Sequence, residues 1–223
     1  VLVALVIAGC GRVSFDPLVV DASASTSDGS LDGSRAVTCT TEPFDTPDVQ
    51  WSFWADAGFG TMFSSGQLRF SIPPNSDGYT GVDLVPLRDF TGGRVTVEVP
   101  EVAAGFNAEI SVLLILDTAN GYSISFSEGG IVFARRVNGV GDPAVIKGYN
   151  ATSHRWWQIE HVAATDTIEM ATSPDGTAWT IQKTAAAGGP MTALTLELVS
   201  GSYLGGNPTP GIPRFDNLTY CVR

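Results

Sequence analysis

The chain has 223 residues, 43% of them hydrophobic, and sets 12 basic side chains against 23 acidic ones for a net charge of −11. That length suffices for one sizeable core or two small ones. A surface of that sign repels nucleic-acid phosphates and anionic lipid headgroups, which excludes nucleic acid as a partner and leaves neutral or cationic partners and divalent cations. Acidity alone also serves solubility.

The chain opens VLVALVIAGC. The apolar run is too short to cross a bilayer, which takes about 20 apolar residues. It has the size of the apolar part of a secretory signal. Ile7, Ala8, Gly9 and Cys10 resemble the lipobox of bacterial lipoproteins, where small residues precede a cysteine that is lipidated and becomes the new N-terminus. The resemblance implies that residues 1–9 are a signal-peptide remnant and that Cys10 is the lipidation site. An ordinary signal peptide with a chance cysteine is the competing reading. Gly11, where an Asp would imply retention at the inner membrane, points by the same resemblance to the outer membrane of a bacterial cell envelope. The membrane would then be met through the lipid anchor only.

Residues 10–38 contain DASASTSDGSLDGSRA, small and acidic with almost nothing to bury, and are expected to form a disordered tether. Asp28, Ser30 and Asp32 alternate as in a calcium loop, but the twelfth position falls on Cys39 and not on a Glu. A solvated linker accounts for the stretch better. The three cysteines are odd in number. If Cys10 is modified, Cys39 and Cys221 are left as a pair.

Residues 39–223 read as one domain of short strands separated by turns. QLRFSI, RVTVEV, EISVLLIL, YSISFS, IVFARRV, RWWQIEHV, DTIEMATS, AWTIQKT, ALTLELV and RFDNLTYCV all qualify. Val95, Val97 and Val99 alternate with Thr96 and Glu98, and Leu194, Leu196 and Leu198 with Thr195 and Glu197. Such alternation marks one buried and one wet face, as in an antiparallel sheet. ISVLLIL lacks it and predicts a strand covered on both faces. No long stretch carries a 3.6-residue period. Asn120-Gly121 and Gly129-Gly130 are expected to supply positive φ at two hairpin turns, joining strands over 109–117, 121–127 and 130–137. Pro174-Asp175-Gly176 predicts a further turn. The prediction is all-β: an antiparallel two-sheet jelly-roll β-sandwich.

The meander LLILDTANGYSISFSEGGIVFARRV, the hairpin WWQIEHVAATDTIEMATSPDGTAWT and the closing RFDNLTYCV resemble the concanavalin A-like lectin/glucanase superfamily. The likeness runs from Phe44 to Val222 and rests on order and spacing. It implies a concanavalin-like sandwich whose first and last strands share a sheet, which would bring Cys39 and Cys221 together as a disulfide. Two free thiols are the alternative. Members of the superfamily bind sugars, hydrolyse them, or act as adhesive spacers, and fold alone does not choose among these.

No catalytic residue is assigned. The Glu-x-Asp-x-x-Glu strand of one hydrolase branch is absent, as are G-x-S-x-G, H-E-x-x-H, P-loop and C-x-x-C patterns. Glu160 and Glu169 lie on adjacent predicted strands, where solvated carboxylates are the ordinary outcome. His154 and His161, seven apart, are a poor metal pair. SPDGTAW resembles the Asp-box turn of sialidases, one residue short, with Ser173 and Asp175 holding the turn and Trp179 packed beneath it. No cofactor is expected. Calcium is the one cation considered, near Asp117 and Asn120 or near Tyr203, with no run of oxygen ligands behind it.

Sugar binding calls for aromatic rings beside hydrogen-bonding side chains. In RWWQIEHV, Trp157 shares a face with Ile159 and belongs to the core, while Trp156 shares the wetter face with Gln158 and Glu160. Trp156 and Gln158 are therefore the first ligand-binding candidates, with a Trp covered by a neighbouring loop as the alternative. Trp51 and Trp54 fall on opposite faces, so at least one is core and Trp54 is a candidate. Tyr203, in the glycine-rich GSYLGGNPTPG, is a candidate on a rim. Three functions stand: a non-catalytic, lectin-like module for a glycan or another cell-surface ligand; a structural or adhesive envelope protein; and a glycoside hydrolase or lyase with an unfamiliar site. Two carboxylates facing one aromatic-lined cleft would favour the third.

Overall fold

The computed structural model describes residues 36–46, 49–205 and 207–223. Cys10, the lipobox and nearly all of the expected tether lie outside the described residues. Sixteen strands make up the regular structure, and no helix occurs among the described residues. In chain order they are β1 (Thr38–Glu42), β2 (Trp51–Ala55), β3 (Gly60–Ser64), β4 (Gln67–Ser71), β5 (Gly78–Leu84) and β6 (Arg94–Glu101). Next come β7 (Ala108–Asp117), β8 (Asn120–Ser127), β9 (Gly130–Val137), β10 (Val140–Gly141) and β11 (Val145–Gly148). The last are β12 (Trp156–Val162), β13 (Thr167–Ser173), β14 (Thr180–Ala186), β15 (Thr195–Ser202) and β16 (Arg214–Val222).

They form two antiparallel sheets of eight strands each. The first runs β14-β13-β12-β6-β16-β4-β3, with β1 also paired to β16; the second runs β10-β9-β8-β7-β15-β5-β2, with β11 also paired to β9. The alternating residues named from the sequence decide which face goes inward. Val95, Val97 and Val99 of β6 and Leu196 and Leu198 of β15 are buried, as are Trp157 and Ile159 of β12. Trp157 is fully enclosed, donates its indole N–H to the His154 carbonyl at 2.9 Å, and meets Phe215 edge-on at 6.3 Å. Losing such a side chain costs about 3–5 kcal/mol.

One open side of the sandwich, between edge strands β2 and β3, is closed by rings. Phe63 lies 5.3 Å from Phe53 and 5.1 Å from Phe44. Trp51 is buried there, and its indole N–H donates to the buried Glu42 carboxylate at 2.8 Å, which also accepts the Phe44 N–H. First and last strands do share a sheet: β1 pairs with β16, with Cys39 opposite Cys221, and the two are joined in a disulfide across 182 residues. Covalent closure of so long a loop constrains the unfolded chain by up to about 5 kcal/mol.

Two turns differ from expectation. Neither Asn120 nor Gly121 has positive φ; β8 begins at Asn120, and the turn is Thr118-Ala119. Asn120 instead donates to the Asp117 carboxylate at 2.9 Å and accepts the Asn138 N–H at 2.9 Å, tying two hairpins together. In the next hairpin the positive-φ pair is Glu128-Gly129, one residue earlier than expected, and Gly130 begins β9. The strand predicted to be covered on both faces, β7, is central in its sheet, but its outward side chains Glu109, Leu113 and Ile115 are only half-buried.

Candidate functional site

With the core filled, only the outward faces of the two sheets and the loops present chemistry. On the face of the β2-β5-β15-β7-β8 sheet, register places the outward side chains in three adjoining rows. Ser52, Asp83, Glu197, Leu113 and Ser123 form one. Trp54, Gly81, Val199, Ser111 and Ser125 form the next. Tyr79, Gly201, Glu109 and Ser127 form the third.

Glycine at two of these positions determines where the rings lie. A Cβ on Gly81 would stand 2.8 Å from the Trp54 ring, and one on Gly201 would stand 2.4 Å from the Tyr79 ring. Each aromatic side chain therefore covers a glycine on the neighbouring strand, against the bare backbone. Beside them Val199, Ser111 and Ser125 make a low floor, with Ser111 and Ser125 hydrogen-bonded at 2.8 Å. Tyr203 follows β15 and reaches across to Ser127, hydroxyl to hydroxyl at 2.6 Å.

The carboxylates stand between these groups. Asp83 and Glu197 are direct cross-strand partners. Asp83 accepts the Trp54 indole N–H at 3.3 Å. Burial pushes the Asp83 carboxyl up, partly offset by that bond. Burial, and then the adjacent Asp83, push Glu197 up to about 8. Burial likewise raises Glu109, opposed by the Tyr79 hydroxyl facing it, and the Tyr79 hydroxyl is itself raised by burial and by Glu109. These shifts share a first cause: burial draws the groups partly out of water and disfavours their charged forms.

The outward face of the other sheet pairs its carboxylates with basic and amide groups, although the buried Nε atoms of Arg69 and Arg214 have no partner among the described residues. Glu98 is buried, accepts Arg155 Nε at 2.6 Å and Asn217 Nδ2 at 2.5 Å, and faces Trp156 across the strands. Gln158 is buried and donates to Glu160 at 2.8 Å. The Trp156 ring lies beneath Gly176, about 3.0 Å from where a Cβ would be. The turn over it is held as expected by Ser173 and Asp175: Asp175 accepts the Thr177 and Ala178 N–H groups at 2.8 and 3.0 Å, which hold its carboxyl well below the usual range. The tryptophan under this turn is thus Trp156, where the sequence pointed to Trp179, which is half-buried.

Of the four sequence candidates, then, Trp54 and Tyr203 are on one face, and Trp156 and Gln158 are on the opposite side of the sandwich. Tyr79, Asp83, Glu109 and Glu197 were not singled out. Their signal was present: Tyr79, Gly81 and Asp83 alternate with the buried Thr80, Val82 and Leu84. Two glycines in seven residues concealed that strand. No group of three or more His, Cys, Asp or Glu able to hold a metal occurs among the described residues. His161 is occupied by the Gly92 N–H and Asp166. An apolar cavity at one end of the sandwich, lined by Val102, Phe106, Phe126 and Tyr149, contains none of the face residues; Glu128 on its rim is within 3.4 Å of the Tyr203 hydroxyl.

Solved structures match this arrangement of sheets over most of the chain. A β-glucanase of Bacillus licheniformis superposes with a TM-score of 0.65 at 15% identity, covering 83% of this chain and 98% of its own. The chain has a concanavalin A-like jelly-roll fold. The endo-β-1,3-glucanase of Pyrococcus furiosus gives a TM-score of 0.61 at 11% identity, over 82% of this chain and 93% of the enzyme. The exoplasmic/lumenal domain of VIP36, in a Ca2+/Man2-bound form, gives 0.59 at 8% identity, over 83% and 88%. No protein-family model matches the chain, and no curated protein matches it by sequence.

The raised Glu197 carboxyl predicts a pH signature. Its folded value of about 8 exceeds its ordinary value of 4.5, so the folded state holds a proton that the unfolded state gives up. The stabilising contribution is complete below 4.5 and is lost as pH rises through about 8. Between pH 5 and 8 the melting temperature of the native protein should fall relative to that of Glu197→Gln. Parallel curves would show that Glu197 is not held in this way.

Proposed function

We propose that the outward face of β2-β5-β15-β7-β8 is a glycan-binding surface and that the protein is a non-catalytic, lectin-like module. The observation that carries this reading is the pair Trp54 and Tyr79, each set against a glycine and each flanked by carboxylates that accept hydroxyl hydrogen bonds. The apolar face of a sugar ring stacks on an aromatic ring while its hydroxyls bond to neighbouring acceptors. Support also comes from the company of the fold: the structures it resembles include glucanases and a domain bound to Man2. Along β7 the outward positions are Glu109, Ser111, Leu113 and Ile115, so this strand does not repeat carboxylates.

One observation favours a second reading, a glycoside hydrolase. Asp83 and Glu197 are cross-strand partners, a relation that sets Cβ atoms about 4.5–5.5 Å apart. Glu197, raised to about 8, holds a proton at neutral pH as a general acid must, and Asp83 would serve as the second carboxyl. The structural or adhesive role, with no small ligand, predicts no binding at all.

A pull-down on insoluble polysaccharides, with reducing sugar assayed in the supernatant, separates the three. Retention without released sugar is expected, and Trp54→Ala should weaken it by about 1–3 kcal/mol, taking the range for a nucleobase stacked on an aromatic side chain as the guide. Trp156→Ala should lower the melting temperature and leave retention in place. Equal loss in both variants would remove this face from the account, and released sugar would select the hydrolase.

We further propose that Cys10 carries a lipid anchor that holds the domain at the bacterial outer membrane. The IAGC motif and the acidic, small-residue stretch behind it support this. Metabolic labelling with a palmitate analogue should mark the protein in cells and be abolished in Cys10→Ala; label retained in the variant would refute the anchor.

A further inference from the structure

The five adjoining strands β2, β5, β15, β7 and β8 contain no Lys, Arg or His anywhere in their sequences WSFWA, GYTGVDL, TLELVSGS, AEISVLLILD and NGYSISFS. The opposite sheet by contrast carries Arg69, Arg94, Lys183 and Arg214 in its strands and Arg155 beside β12. Elsewhere in this sheet basic residues lie in β9 (Arg135 and Arg136) and β11 (Lys147), with Arg88 bridging Leu194 just before β15; Arg136 pairs opposite Gly121 and acts on Asp117, and none of these four is among the groups that shift Asp83 or Glu197. The carboxyls on the aromatic face are thus left without a counter-charge. Asp83 accepts one bond, from Trp54, and no hydrogen bond or ion pair to the Glu197 carboxyl occurs among the described residues. On the opposite face Glu98 and Glu101 have arginine partners, Arg155 and Arg214.

Building on the glycan-binding reading of this face, we infer that its ligand is an amino sugar polymer bearing free ammonium groups, of the glucosamine type. The rings of Trp54 and Tyr79 receive the sugar faces, and Asp83 and Glu197 receive a ring ammonium in a charge-assisted hydrogen bond. Uronic acid and sulfated glycans bring no cation to Asp83 and Glu197 and meet a chain of net charge −11, which disfavours them. Acetylation of the amine removes the positive charge and leaves the ring and linkage unchanged, which makes the acetylated polymer a matched control. The half-buried setting makes the ammonium worth more than it would be in open water, because screening is weaker there. Burial, and then the adjacent Asp83, hold the Glu197 carboxyl up, so a cation arriving between the two finds a pair that it can stabilise in the ionised form. An arriving ammonium draws the carboxyl to its ionised form, and a proton leaves to solvent.

The test is calorimetric titration of the purified protein at pH 6 with four tetramers: glucosamine, N-acetylglucosamine, cellotetraose and galacturonate. The glucosamine tetramer should bind at least about tenfold more tightly than the acetylated one, a difference of about 1.4 kcal/mol. Galacturonate should bind least. Repeating the glucosamine titration in buffers of different ionisation enthalpy should show proton release, and the tenfold preference should shrink in Glu197→Gln and in Asp83→Asn. Equal or tighter binding of the acetylated or the neutral tetramer would overturn this inference while leaving a glycan-binding face intact. Failure of all four tetramers, together with no retention on any insoluble polysaccharide, would overturn the glycan reading itself.

Discussion

The structure depends on one shared layer of side chains. Two eight-stranded sheets bury their inner faces against each other around Trp157, Phe215, Phe70 and Leu198, and central strands such as β6, β12 and β15 spend every second residue on that layer. Because side chains alternate along a strand, filling the layer also decides which residues are left outside. Trp51 and Trp157 go inward, Trp54 and Trp156 outward. The functional question reduces to two outer surfaces and their loops.

These two surfaces have opposite characters. One pairs most of its charges within itself: Arg155 and Asn217 bond to Glu98, Gln158 to Glu160, Arg214 to Glu101 and Gln67, and a turn covers Trp156, although the buried Nε atoms of Arg69 and Arg214 have no partner among the described residues. Such a network holds its own polar groups and leaves few to offer. The other is open in the chemical sense, with rings against glycines, hydroxyl-bearing serines, and carboxyls raised by burial without cations. Polar groups that the fold leaves unpaired at a half-buried surface are those a ligand can pair. The proposed binding surface rests on that contrast and not on the fold shared with glucanases and the VIP36 domain.

The fold was largely legible because its strongest strands alternate cleanly. Val95-Val97-Val99, Leu194-Leu196-Leu198 and the meander from 109 to 137 read directly as strands, and the pairing of Cys39 with Cys221 followed from the family likeness. The candidate site was legible only in fragments. Trp54 and Tyr203 stood out as aromatics, but β2 and β5 were not read as strands, since WSFWA follows a loop and GYTGVDL carries two glycines where strands favour branched side chains. Those glycines are the feature that seats Trp54 and Tyr79. Nor does any single strand hold the carboxyl pair: Asp83 and Glu197 are 114 residues apart and meet only through the β5–β15 register. Trp156 and Gln158 share an outward face in the structure as in the sequence, but that face is not wet: Gln158 is buried, and the turn that covers Trp156 depends on tertiary placement.

The central claim is that ligand meets the protein at Trp54 and not at Trp156. With five tryptophans in the chain, the indole N–H signals of nitrogen-15-labelled protein form a map with few peaks to assign. We would titrate that protein with the glucosamine tetramer and with cellotetraose and follow each indole. The account predicts that the Trp54 signal moves and saturates while those of Trp51, Trp156 and Trp157 stay in place. Movement of Trp156 with Trp54 unmoved would contradict it.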